Sequence, residues 1–152
     1  MTVRGTRTSR GGFTTIELVL ALVALAVVTA AVLPRVRQTA EIWRARRVAG
    51  LVANDLEYAF SLAARQRRPV RLSCTCGSQQ YAVIDRAMGT TLINQDFGPS
   101  STFHVSRLTF STATVDIFPT GIASAPLTVT ITAGPSTKQI TMTQAGQVRV
   151  LP

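Results

Sequence analysis

The sequence predicts an α+β fold: a long N-terminal helix, one half membrane-spanning and the other amphipathic, packed on an antiparallel β-sheet domain. Three observations lead there. From Phe13 to Leu33 the chain runs 21 residues with Glu17 as its one charge. Beyond Pro34 apolar residues recur at three- and four-residue intervals, and from Val70 onward short runs of Val, Ile, Thr and Phe alternate with Gly, Pro, Asn and Asp.

Taken in order, residues 1–12 form a short leader with Arg4, Arg7 and Arg10 and no acidic residue. Residues 13–33 follow, and a helix of that length spans roughly 32 Å, close to the hydrocarbon thickness of a bilayer. A cleaved secretory signal would use the small residues Val28-Thr29-Ala30-Ala31 as its cut site, and a permanent anchor would need only the apolar run. Glu17 argues against both. A carboxylate in an apolar span costs up to about 2.5–3.5 kcal/mol at the membrane centre, and neither a signal nor an anchor gains from it. An intramembrane acid implies a partner.

Residues 34–68 read as an amphipathic continuation of the helix. Pro34 removes a backbone donor and should bend the helix or open it locally. Val48, Leu51, Val52, Leu56, Ala59, Phe60 and Ala63 then fall on one face, whose simplest role is to dock on the sheet that follows. Pro69 ends the helix. Over 69–152 the expected strands are Val70 to Cys74, Tyr81 to Asp85, Thr91 to Gln95, Thr102 to Phe110, Thr114 to Phe118, Leu127 to Ala133, Gln139 to Thr143 and Gln147 to Leu151.

The 152 residues leave room for one globular domain, and the 46 % hydrophobic content is concentrated in the apolar run. The net charge of +9 raises nucleic acid or anionic lipid as a partner. Its distribution weakens that idea, because eight arginines lie between Arg35 and Arg68, whereas the chain after Pro69 carries five bases against three acids. The arginines flanking the stripe read first as a solvated face; the functional alternative is that Arg35, Arg37, Arg44, Arg46 and Arg47, just past the membrane, hold anionic headgroups before extraction. Cys74 and Cys76 read as two thiols or a local disulfide, with no second Cys or His group to complete a metal site. His104 is expected on the surface or in the sheet. Asp85, Asp96, Asp116 and His104 show no nucleophile–base spacing, phosphate loop or metal cluster, so the sequence predicts neither an enzyme nor a bound cofactor.

The string Gly11-Gly12-Phe13-Thr14-Thr15-Ile16-Glu17-Leu18-Val19-Leu20, with basic residues before it and Pro34 past the apolar run, resembles the leader of type IV pilins and pseudopilins. The resemblance implies that a membrane-embedded prepilin peptidase cuts after Gly12 and methylates Phe13, and that Glu17 is the essential acid of filament assembly. It also implies a bacterial inner-membrane protein, single-pass, with its C-terminal domain periplasmic or extracytoplasmic. Its partners would be other pilins or pseudopilins, the prepilin peptidase, the inner-membrane assembly platform and membrane lipid. The cleavage motif places the leader in the cytoplasm, although a count of arginines on the two sides of the span, three before and five after, favours the opposite orientation or none. In a bundle of such helices a buried Glu17 needs a positive charge, which the freed amine of a neighbouring Phe13 supplies.

Arg67-Arg68-Pro69-Val70-Arg71-Leu72, Phe118-Pro119-Thr120-Gly121 and the closing Gly146-Gln147-Val148-Arg149-Val150 are similar to the GspH/FimT group of pseudopilins. That group implies a structural subunit of a type II secretion pseudopilus, acting in protein secretion, or of a type IV pilus. The alternative is a DNA-binding minor pilin acting in natural transformation. Members of the FimT type bind DNA through a Gly-Arg-x-Arg motif, and here Gly146-Gln147-Val148-Arg149 lacks the first arginine. Arg107, Lys138 and Arg149 are the remaining candidates for DNA or another anion.

Overall fold

The computed structural model describes residues 14–151. One helix, α1 (Thr15–Gln66), precedes eight strands: β1 (Val70–Thr75), β2 (Gln80–Asp85), β3 (Thr91–Asp96), β4 (Arg107–Phe110), β5 (Thr114–Ile117), β6 (Leu127–Ala133), β7 (Ser136–Met142) and β8 (Val148–Leu151). The chain divides into two compact units between Arg37 and Gln38. The described part of the first is helix from Thr15 onward, and the helix passes through Pro34 uninterrupted. The local opening that Pro34 invites does not occur: a proline in a helix removes one donor, and here the turns on either side remain helical.

In the second unit Ala45, Val48, Ala49, Val52, Leu56, Ala59 and Ala63 of α1 are fully buried. Their three- and four-residue spacing makes one stripe, with Leu51 and Phe60 packed at its margin. Each large side chain buried there contributes about 1.5–3 kcal/mol. The helix ends in a Schellman motif: the Arg68 amide donates to the Ala63 carbonyl, the Arg67 amide donates to that of Ala64, and Arg67 is left-handed at φ 52°.

The strands form two four-stranded antiparallel sheets, ordered β3-β2-β1-β5 and β4-β6-β7-β8. Alternate residues face inward, most regularly in β6, where Leu127, Val129, Ile131 and Ala133 are buried. The Tyr81 ring lies 5.8 Å from each of Phe97 and Phe110 between centroids, and Phe103 meets Phe97 edge-on at 5.5 Å.

Eight strands appear at the expected places, with two notable differences. The strand expected over Thr102 to Phe110 is only Arg107–Phe110. The residues before it form a crossover, in which the Val105 amide donates to Phe97, the Ser106 amide donates to Thr132, and His104 adopts φ 45°. β7 begins at Ser136, earlier than expected, because Gly134 at φ 54° and Pro135 form a two-residue turn directly between Ala133 and Ser136.

Cys74 and Cys76 are joined by a disulfide with the Cα atoms 5.2 Å apart. A continuous strand would have kept both on one pleat face, but β1 ends at Thr75 and Cys76 opens a 3-10 turn, Cys76–Ser78, which lets the sulfurs converge.

Candidate functional site

Gly12 and Phe13 lie outside the described residues. The segment that follows them begins at Thr14, whose Oγ1 accepts the Glu17 amide at 3.3 Å and so caps the helix. Thr14 and Glu17 occupy the first and fourth positions of a capping box, and the carboxylate sits in the first turn, where the helix dipole favours negative charge. Ile16, Leu18, Val19, Leu20, Leu22 and Val23 around it are all exposed. The best 18-residue window of the helix has mean hydropathy 2.7 and no buried residue, so by length and composition this is a helix able to cross a membrane. A helix apolar on every side has no stable exposure to water and is completed by lipid or by other apolar helices.

The basic candidates are separated in space. Arg107 stands opposite Thr132 and Arg149 opposite Thr141, so both occupy the outward face of the second sheet. Two strands lie between theirs, and their rows are four residues apart along β6, which puts them about 14 Å apart across the sheet and about 13 Å along it. Lys138 lies opposite buried Ile131 and therefore points to the other face. There it lines a concavity of about 350 Å³ with Arg46, Gly50, Val150 and Leu151. Arg44, Arg46 and Arg47 are exposed on α1; the Arg46 guanidinium lies 5.7 Å from the Trp43 ring centre and that of Arg47 5.8 Å from Phe103. Among the described residues no group of His, Cys, Asp and Glu is arranged to hold a metal.

Two polar arrangements tie elements of the second unit to one another, and sequence reasoning missed both. Asp55 of α1 is buried and accepts the Tyr81 hydroxyl at 2.7 Å and the Gln95 amide at 2.9 Å. Burial, reinforced by the Asp55 hydrogen bond and charge, pushes the Tyr81 hydroxyl far above its ordinary value. The signal was present in the stripe, because Asp55 falls three residues after Val52 and four before Ala59. Asp116 of β5 accepts two bonds from Arg71, at 2.7 and 3.0 Å, and faces Arg86 at 3.3 Å. The Arg71 hydrogen bond holds this carboxyl below its usual range, aided by the charges of Arg71 and Arg86 and opposed by burial. Asp85 is buried in the β2–β3 turn, where it accepts the Ala87 and Met88 amides. These carboxylates are committed to structure, and His104 is exposed in a loop.

Residues 48–146 match the family model of the type II transport protein GspH. The fold is similar to that of the type IV minor pilin FimU of Pseudomonas aeruginosa, with a TM-score of 0.58 at 17% identity over 71% of this chain and 88% of that one. A second crystal form of FimU gives 0.56 at 17% identity over 70% and 92%. The minor pseudopilin EpsH from the type 2 secretion system of Vibrio cholerae is similar at a TM-score of 0.53 and 13% identity, over 71% of this chain and 96% of that one. No curated protein matches the chain in sequence.

Proposed function

Because the chain belongs to the GspH family of type II transport proteins, among the minor pilins and pseudopilins, we propose that it is a structural subunit of a type II secretion pseudopilus or a type IV pilus. In this reading prepilin peptidase cuts after Gly12 and methylates Phe13. The mature chain waits in the bacterial inner membrane with its C-terminal domain outside the cytoplasm, and the assembly platform then moves it into the filament.

The observation that carries the proposal is the pairing of one carboxylate with an uncovered apolar helix. All side chains from Ile16 to Leu33 are exposed, and Glu17 is the one charge among them. Lipid satisfies the apolar surface and leaves the carboxylate unmatched. A bundle of like helices satisfies both, provided that a neighbour brings the amine of its Phe13 to Glu17. The pair then sets the register, since a misplaced subunit leaves a buried charge uncompensated, at a cost of about 3–5 kcal/mol.

DNA binding remains the second reading and finds less support. A phosphate grip needs several cations along one track, and Arg107, Lys138 and Arg149 are divided between two faces of the sheet. Mass spectrometry of the membrane-extracted protein tests the proposal. A mature chain beginning at methylated Phe13 supports it, and one beginning near Ala31 contradicts it.

A further inference from the structure

The β4-β6-β7-β8 sheet ends at β8, which pairs with β7 and, among the described residues, with no strand on its other side. An edge strand of this kind presents alternate amide and carbonyl groups to whatever lies beside it. β8 has little protection, because Val150 and Leu151 are 48% and 39% exposed. Val150 stands opposite buried Ile140 and so belongs to the core-facing side, yet α1 does not cover it.

The space beside Val150 is the concavity of about 350 Å³ lined by Arg46, Gly50, Lys138, Val150 and Leu151. Its helix wall is low at Gly50, where an added Cβ would meet no atom within 4 Å. Its charge is positive, from Arg46 and Lys138. A strand laid along β8 about 4.8 Å away would send alternate side chains into this groove, with apolar groups against Val150 and Gly50 and an acidic group toward the cations.

We infer that the free edge of β8 and the Arg46–Lys138 groove receive an extended, acidic segment of a different subunit of the same filament. The inference rests on the filament reading and adds a contact made by the β-domain. Charge selects the occupant. After Pro69 this chain carries five bases against three acids, so a second copy offers the cationic groove no net negative surface, whereas an acidic neighbour is attracted to Arg46 and Lys138. Backbone pairing supplies the affinity and the groove the choice of partner.

The test places a photo-crosslinking amino acid at Val150 of the full chain, in cells that make it together with its filament partners. The same group at Val23, on the apolar helix, reports filament assembly independently. The inference expects a Val150 adduct that peptide mapping assigns to an extended, Asp- or Glu-bearing segment of another pilin-like subunit. That adduct should fall about tenfold when Arg46→Glu and Lys138→Glu are combined, and persist in Arg46→Lys. Adducts to a second copy, to nucleic acid or to lipid overturn the inference. An adduct indifferent to charge reversal, or no Val150 adduct while Val23 still crosslinks to other subunits, overturns it and leaves the filament reading intact. Loss of subunit adducts at both positions contradicts the filament reading and the inference with it.

Discussion

The Tyr81 hydroxyl donates to the Asp55 carboxylate at 2.7 Å, joining the buried face of α1 to the middle of the first sheet. Gln95 of β3 donates to the same oxygen, so one carboxylate gathers three elements. Apolar attraction is non-directional, whereas this trio is satisfied in one register of the helix on the sheet.

Tyr81→Phe leaves Asp55 with Gln95 alone and should lower stability by about 1–3 kcal/mol. Combined with Asp55→Asn, the loss should fall short of the sum, because both changes break one bond. Thermal unfolding of the detergent-solubilised full chain measures each variant; strict additivity would show that the trio is not a unit.

Asp116 predicts an acid dependence. Its pKa is depressed in the folded protein, so its contribution is present above the unfolded carboxylate value, near about 3.9, and disappears as pH falls through the lower folded value. Stability should therefore fall as pH drops below about 4, and Asp116→Asn should flatten that part of the profile. Equal acid slopes in the two proteins would show that Arg71 does not hold the charge.

Arg67 occupies the left-handed position of the helix end, where a side chain costs about 1–2 kcal/mol relative to glycine. Arg67→Gly should raise the melting temperature in the same unfolding measurement, and Arg67→Ala should leave it nearly unchanged. A destabilised glycine variant would mean that the Arg67 side chain makes a contribution larger than the strain.

The parts of the fold that follow from periodicity were legible in the sequence. The stripe from Val48 to Ala63 and the alternation of Leu127, Val129, Ile131 and Ala133 mark their buried faces directly. Boundaries set by distant hydrogen bonds were not legible. The entry to β4 is fixed by Val105 bonding Phe97 and Ser106 bonding Thr132, which no local pattern announces.

The candidate site divides along the same line. Glu17 stood out because it is the one charge in an apolar run, which a one-dimensional reading shows directly. Asp55 did not, because its spacing within the stripe marks a buried position but the Tyr81 and Gln95 partners that satisfy it are distant in sequence. The separation of Arg107, Lys138 and Arg149 depends on strand register, which sequence spacing does not supply.

The most direct test of the central claim is the fate of Glu17→Val. This variant keeps the span apolar and leaves residues 1–16 unchanged, so it should be made, inserted and cleaved after Gly12. It should then remain in the membrane fraction, with its share in purified filaments reduced at least about a hundredfold, as expected when the partner of a buried charge is removed. Incorporation of Glu17→Val into filaments at the level of the unaltered chain would contradict the claim that this carboxylate directs assembly.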